Sequence, residues 1–154
     1  MAACLESNVG LSFFTEFGKF QAQVVGMPKG NVLLRRTQYR WADDAEKAVS
    51  VARLMVAAKV GNCRAVLLRE QRNHGEHDDL ARAAQALAAL LENIRHARSV
   101  PQLMGLEGEA ASVYFGVFAH LLRAPGFVFD GRVRRPPADP VNALLSVSYT
   151  HLRA

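Results

Sequence analysis

The chain has 154 residues, of which 50% are hydrophobic and 21% are charged, and this composition excludes an intrinsically disordered or fibrous polypeptide. The length corresponds to roughly one to one and a half domains. The formal net charge of +5 favours an anionic partner, most commonly a nucleic acid.

The cysteines and the apolar pattern indicate the cell compartment. Cys4 and Cys63 are far apart in the sequence and form no CxxC pair, which argues against a zinc site and against a disulfide framework. No run of about 18 apolar residues is present. The acidic Glu6 comes early in the N-terminal segment, which is atypical of a signal peptide. We therefore expect a cytoplasmic protein that has no membrane partner.

Two short strands are predicted near the N-terminus. Phe20, Ala22 and Val24 alternate with glutamines, as in a strand that is buried on one face. Residues 11–14 form a second apolar run, so the two runs predict a β-hairpin, and residues 27–31 predict a turn. Because an isolated two-stranded hairpin is marginally stable in water, we expect these strands to belong to a larger sheet.

From about Asp43 onward, the apolar residues recur at steps of three and four, which predicts helices. The periodicity continues through Gly61, so one long helix is predicted there at a cost of roughly 1 kcal/mol for the glycine. The predicted helices cover residues 43–71, 78–97 and 99–123, and a last helix begins at Pro140. The expected fold class is therefore α+β, with a β-hairpin followed by a mainly α-helical domain.

Two glutamates in the third predicted helix differ in their surroundings. Glu107 shares a helix face with apolar residues, whereas Glu109 shares one with polar or small residues. The first face is formed by Glu107, Ala111, Tyr114 and Phe118, and the second by Glu109, Ser112, Gly116 and His120. A carboxylate on a core-facing stripe costs desolvation energy unless a cation or hydrogen bonds compensate it, so Glu107 is the candidate metal ligand. The alternative is that both glutamates simply favour the N-terminal end of a helix.

Arginines form two groups. Arg132, Arg134 and Arg135 lie beside two prolines that stiffen the segment, and such a loop suits bidentate contacts to phosphate. The other group, Arg35, Arg36 and Arg40, lies next to aromatic residues. Each group taken singly is equally compatible with a solvated surface.

The histidines give a weaker signal. His77 lies in a polar segment with acidic neighbours, which predicts a metal site only poorly. His120 is expected near the opposite side of the third helix from Glu107. No GxSxG, P-loop or GxGxxG motif is present, which excludes the most common hydrolase and nucleotide-binding patterns.

Several segments together resemble one known family. They are Gly105-Leu106-Glu107-Gly108, Tyr114-Phe115, Gly131-Arg132, Arg134-Arg135-Pro136-Pro137 and Asp139-Pro140-Val141-Asn142-Ala143-Leu144-Leu145. This combination resembles the family of CRISPR-associated adaptation integrases, and the resemblance covers nearly everything up to about Ser146. The combination is highly specific, although each piece alone is not.

The resemblance implies a fold, an activity and partners. Residues 1–38 would be the C-terminal part of a β-domain that dimerises, and residues 39–154 the N-terminal part of an α-helical catalytic domain. The activity would be the metal-dependent cleavage and integration of DNA that inserts new spacers into CRISPR arrays in antiviral defence. The partners would be prespacer and CRISPR-repeat DNA, a second copy of the chain and a small partner subunit.

The resemblance also assigns residues. Glu107 matches the family's catalytic glutamate, a ligand of Mg²⁺ or Mn²⁺, while the histidine and aspartate of that metal site belong downstream of the last helix. DNA contacts are assigned to Arg132, Arg134, Arg135, Arg64 and Asn62. Residues 148–154 depart from the family pattern. We therefore expect a chain that is truncated at both ends and inactive alone.

A non-catalytic function remains open as the alternative. A helical module that binds nucleic acid or a protein partner through its basic loops would explain the charge equally well. Glu107 discriminates between the two hypotheses, because a plain binding module does not need a carboxylate on that stripe.

Overall fold

The computed structural model describes residues 2–7, 9–26, 30–133, 136–137 and 139–151, with side chains up to Ser148. The chain divides into two compact units, residues 1–42 and residues 43–154. The boundary that we expected after residue 38 lies within a helix, Val32–Asp43.

The first unit contains the predicted hairpin. A short helix, α1 (Ala2–Glu6), precedes strands β1 (Leu11–Phe14) and β2 (Phe20–Val24). The strands pair in antiparallel fashion with Leu11 opposite Val24, and a register shift follows Phe13. Gly18, at φ 76°, supplies the left-handed conformation that the connecting turn requires.

The hairpin is not buried on one face, in contrast to the prediction from its alternating pattern. Phe20 is 56% exposed, and Ala22 is exposed as well. The ring of Phe20 lies 5.8 Å from that of Phe14, which is also largely exposed, and the two meet edge to face. The alternating residues of β2 therefore form an apolar face that the described residues of this unit do not cover.

A helix that the sequence analysis did not predict, α2 (Val32–Asp43), follows the hairpin. The side chain of Asn31 caps it, since Asn31 Oδ1 accepts hydrogen bonds from the backbone N–H groups of Leu33 and Leu34 at 2.9 and 3.2 Å. None of the side chains of α2 is buried. Its apolar side, which includes Leu33, Leu34 and Trp41, is exposed. The predicted turn over residues 27–31 lies partly outside the described residues, at positions 27–29.

The second unit is helical, as predicted. Its elements are α3 (Ala45–His74), α4 (Asp78–His96), α5 (Val100–Gly116), a 3-10 helix (Phe118–Leu121) and α6 (Pro140–His151). Helix α3 continues through Gly61 without interruption. Within the described part of the chain, no helix is both long and apolar enough to cross a membrane. The α+β class is confirmed.

The core of this unit lies between α3, α4 and α5. The predicted stripes of α3 and α4 supply most of it, and Leu67, Leu87 and Ile94 have no exposed surface. Leu103 contributes from α5 and is 1% exposed. Ala45, the first of the apolar residues that recur at steps of three and four in α3, is exposed instead. Burying an aliphatic side chain of this size is worth roughly 1.5–3 kcal/mol, so this packing fixes the positions of the three helices.

Helix α5, which corresponds to the third predicted helix, is shorter than predicted. It ends at Gly116 and is followed by the 3-10 helix, so Phe118 and His120 are not on the same α-helix as Glu107. Aromatic rings form a cluster after α5. The ring centre of Phe118 lies 5.6 Å from that of Phe115 and 5.0 Å from that of Phe129, which is buried. These contacts attach the segment after the 3-10 helix to α5.

Candidate functional site

Glu107 occupies the second turn of α5 and forms an ion pair with α3. Ser99 caps the start of α5 by accepting a hydrogen bond from the backbone N–H of Gln102. Lys59 Nζ lies 2.5 Å from Glu107 Oε1, and the two side chains are 46% and 36% exposed. Glu107 is thus only partly buried. The expectation that a bound metal ion must offset the desolvation cost of this carboxylate is therefore wrong. The ammonium group of Lys59 already compensates the carboxylate.

The two glutamates of α5 differ in burial as predicted. The neighbours of Glu107 on its face, Ala111 and Tyr114, are partly buried, whereas Glu109 and Ser112 are exposed. Glu107 is therefore the carboxylate at the junction of α5 with α3.

Asn62 and Arg64, two residues of α3 that were predicted to contact DNA, lie on different faces of the helix. Asn62 is exposed and follows Lys59 by three positions, so the two share a helix face. Arg64 is partly buried, and its Nε donates a hydrogen bond of 3.2 Å to the carbonyl oxygen of Ala84 in α4. The structure therefore brings Asn62 to the face of Lys59, and it places Arg64 at the contact between α3 and α4.

The basic loop before α6 is organised by Asn142, which is fully buried. Asn142 Oδ1 accepts hydrogen bonds from Arg132 Nη1 and the Val133 N–H, at 2.8 and 3.0 Å. Its Nδ2 donates to the carbonyl oxygen of Gly131 and to Asp139 Oδ2, at 2.8 and 2.6 Å. All four hydrogen-bonding positions of the amide are used, so Asn142 fixes the guanidinium of Arg132 against the start of α6.

Asp139 caps α6 by accepting a hydrogen bond of 2.8 Å from the backbone N–H of Asn142. The hydrogen bonds from the side chain and then the backbone of Asn142 hold the pKa of Asp139 below its ordinary value. The other two arginines of this loop, Arg134 and Arg135, lie outside the described residues.

With this geometry established, the chain can be compared with known proteins. The sequence profile described as "CRISPR associated protein Cas1" matches residues 1–154. The chain belongs to the Cas1 family. The resemblance noted in the sequence is thus confirmed.

Individual relatives support this assignment. The CRISPR-associated endonuclease Cas1 1 of Chlorobaculum tepidum is 45% identical over 152 residues, which cover 96% of this chain and 44% of that relative. A Cas6-RT-Cas1–Cas2 complex contains a chain with a TM-score of 0.68 and 28% identity, covering 97% of this chain and 16% of that one. A casposase bound to its integration product has a TM-score of 0.71 over 96% of this chain and 40% of its own, and at 19% identity it shows the fold alone.

The chain spans less than half the length of this Cas1 relative. Among the residues that the structure describes, Glu107 is not part of any group of three potential metal ligands. The described residues therefore place no two further candidate metal ligands beside Glu107.

The described residues do contain one other ligand group, in which His77 and an acidic neighbour, a weak prediction from the sequence, are joined by His120, which was not predicted to lie there. His77, Asp79 and His120 bring one ligand atom each to within 4.8 Å of one another. The signal was available: three residues connect α4 to α5, so the two helices run antiparallel and the start of α4 meets the segment that follows α5. Placing His120 on a continuation of α5 concealed this.

Proposed function

We propose that this chain contributes the catalytic glutamate and part of the DNA-binding surface of an integrase that inserts new spacers into CRISPR arrays. The observation that carries this proposal is the position of Glu107. It is a solvent-accessible carboxylate on α5, paired with Lys59, at the position that the sequence resemblance assigns to the catalytic glutamate of the family.

The contact between Lys59 and Glu107 leaves the Glu107 carboxylate available to bind a metal ion. Lysine carries its charge on a flexible stem, and an exposed ion pair of this kind is weak. Glu107 could therefore exchange its contact with Lys59 for a divalent ion at little energetic cost, and the Lys59 ammonium would then be available for a phosphate.

The proposed reaction is a transesterification. The 3′-hydroxyl of a prespacer attacks a phosphodiester at the CRISPR repeat, so one P–O bond forms as another breaks, and the displaced 3′-oxygen is the leaving group. A bound Mg²⁺ or Mn²⁺ supplies charge stabilisation at the phosphate, with Glu107 as one of its ligands. The resemblance places the accompanying histidine and aspartate downstream of α6.

The arginines and Asn62 provide the proposed DNA contacts. Arg132 is held in place by Asn142, and a guanidinium fixed in this way loses less entropy when it binds phosphate. Arg134 and Arg135 follow closely in the sequence, and Asn62 lies on the same face of α3 as Lys59. For Arg64, the hydrogen bond to Ala84 occupies Nε and leaves the two terminal nitrogens for a phosphate.

The proposed partners are prespacer and repeat DNA, a second copy of the chain and a small subunit. Two neighbours in fold support this, since one is a Cas1–Cas2 assembly and the other a casposase bound to an integration product. We place dimerisation in the β-domain that ends near residue 38, where Phe14 and Phe20 present an apolar surface. Because array DNA is chromosomal, the proposed location is the cytoplasm.

A chimera tests the proposed function. Residues 1–145 replace the matching segment of the Chlorobaculum tepidum Cas1, which is 45% identical to this chain. We expect the chimera, with the partner subunit of that organism, to integrate a labelled prespacer into a repeat-containing plasmid. The unmodified Chlorobaculum protein is the positive control. A folded chimera that binds the same DNA without integrating it would instead favour the non-catalytic binding module.

A further inference from the structure

We propose that His77, Asp79 and His120 form a binding site for a divalent transition-metal ion of the Zn²⁺ class. This site is separate from Glu107 and does not depend on the proposed integrase function. None of its three residues belongs to the segments that carry the family resemblance.

The three residues converge from two parts of the chain. His77 is the residue before α4, Asp79 lies in the first turn of that helix, and His120 lies in the 3-10 helix after α5. His120 Nε2 is 3.5 Å from Asp79 Oδ2, and His77 Nδ1 is 4.0 Å from the same oxygen. The centres of the two imidazole rings are 4.2 Å apart.

These distances are close to those of a metal site. Zinc binds imidazole nitrogen and carboxylate oxygen at about 2.0–2.2 Å, so neighbouring ligand atoms in a tetrahedral site are roughly 3.3 Å apart. The three ligand atoms here all lie within 4.8 Å of one another. The side chains of His77, Asp79 and His120 are 41%, 44% and 39% exposed, so small rotations can close the remaining gap.

A second observation points to a ligand. His77 Nδ1 has no solvent-accessible surface, and among the described residues it has no hydrogen-bond partner. A buried nitrogen without a partner costs about 1–3 kcal/mol, and coordination of an ion would remove that cost.

The carboxylate is also oriented for this role. Arg82 Nη2 lies 2.5 Å from Asp79 Oδ1, which leaves Oδ2 facing the two histidines. Such outer contacts fix the geometry of metal ligands. The positive charge of Arg82 lowers the affinity for any cation, so we expect binding that is reversible on dilution.

The ligand set selects the type of ion. Two imidazoles and one carboxylate suit Zn²⁺, Ni²⁺ or Cu²⁺, whereas Mg²⁺ prefers an octahedral shell of oxygen atoms. With three protein ligands, a tetrahedral ion keeps one position for water. A bound ion would connect the start of α4 to the 3-10 helix that follows α5.

Calorimetric titration of the 154-residue chain with Zn²⁺ tests this site. We expect His77→Ala and His120→Ala each to weaken Zn²⁺ binding by at least about tenfold. The matched control is His96→Ala, since His96 is an exposed histidine that pairs with Glu92 on α4. Asp79→Asn, which keeps the size of the side chain, provides a third variant, and circular dichroism confirms that each variant is folded.

Further measurements separate this site from the integrase hypothesis. Glu107→Ala should leave Zn²⁺ affinity unchanged, and an excess of Mg²⁺ should not displace Zn²⁺. Saturating Zn²⁺ should raise the melting temperature of the unmodified chain by several degrees and that of the His120→Ala variant much less. The proposal is overturned if the unmodified chain binds no Zn²⁺, or if the affinities of the His77→Ala and His120→Ala variants match that of His96→Ala.

Discussion

Lys59 on α3 and Glu107 on α5 are joined by a salt bridge across 48 positions of sequence, with Nζ and Oε1 2.5 Å apart. More than a third of each side chain is exposed, so solvent screens the attraction. The packing of α3, α4 and α5, rather than this ion pair, therefore holds Glu107 in position.

This relationship predicts which substitutions affect stability. Glu107→Ala and Lys59→Ala should each lower the free energy of unfolding of the chain by less than about 1 kcal/mol. Leu67→Ala, at a fully buried position between the helices, should lower it by about 2–5 kcal/mol. Urea denaturation measures all three. A decrease of about 2 kcal/mol or more for Lys59→Ala, on the scale of a buried ion pair, would show that the pair supports the fold.

Asn142 gives a second test of stability. Asn142→Ala removes the acceptor of the Val133 N–H and one of the two acceptors of Arg132 Nη1, together with the donor to the Gly131 carbonyl oxygen, and a group left unsatisfied costs about 1–3 kcal/mol. We expect the free energy of unfolding to fall by at least about 2 kcal/mol in urea denaturation. Asn62→Ala, at an exposed asparagine, should stay within about 0.5 kcal/mol of the unmodified chain. Equal effects of the two substitutions would contradict the role assigned to Asn142.

The helical unit could be predicted from the sequence because its helices bury one face each. The apolar steps of three and four in α3 and α4 correspond to buried positions such as Val60, Leu67 and Leu87. Helix α2 was not predicted, although Leu33, Leu34 and Trp41 share one side of it and none of its side chains is buried. Asn31 was an ambiguous signal, because asparagine can cap a helix but is equally common in turns.

The candidate site was predictable only in part. The resemblance selected Glu107, and helical spacing predicted that Glu107 lies on a more buried helix face than Glu109, as the structure shows. Its pairing with Lys59 could not be derived, because it depends on the register between two helices that are distant in sequence. The convergence of His120 with His77 required knowledge that α5 ends at Gly116, and helix ends are the least certain feature of a sequence-based prediction.

Acid should destabilise the chain partly through Asp44, the cap of α3. A backbone hydrogen bond from Lys47, followed by one from its side chain, holds the pKa of Asp44 below its ordinary value of 3.8. Because the folded-state pKa is the lower one, this contribution to stability is present above pH 3.8 and is lost as the pH falls through the folded-state value.

The matched variants for this effect are Asp44→Asn and Asp43→Asn. Asparagine caps a helix about as well as aspartate, so Asp44→Asn should keep the cap and remove part of the acid-induced destabilisation. Asp43→Asn, at the last residue of α2, should leave that destabilisation unchanged. The test follows the free energy of unfolding from neutral pH to about pH 2, below the ordinary aspartate pKa. The same pH profile for Asp44→Asn and the unmodified chain would refute the prediction.

The basic loop should bind DNA through its arginines. We expect the affinity of the chain for duplex DNA, measured by fluorescence anisotropy, to fall steeply between about 50 and 200 mM salt. Arg132→Gln, or the double substitution Arg134→Gln with Arg135→Gln, should reduce the slope of log affinity against log salt by about one for each phosphate that is no longer neutralised by an arginine. Arg95→Gln, at an exposed arginine that pairs with Glu92, is the control and should leave the slope unchanged. Slopes that are equal in all variants would exclude phosphate binding by this loop.

The central claim is that Glu107, and not Glu109, is the catalytic carboxylate. Two residues apart on α5, the two side chains point about 200° away from each other, so they cannot both face one ion without distortion. The most direct test measures spacer integration by the chimera carrying Glu107→Ala or Glu109→Ala, with circular dichroism as the folding control. The account predicts that Glu107→Ala abolishes integration in a folded protein while Glu109→Ala retains substantial activity. Abolished integration in Glu109→Ala with activity retained in Glu107→Ala would contradict it.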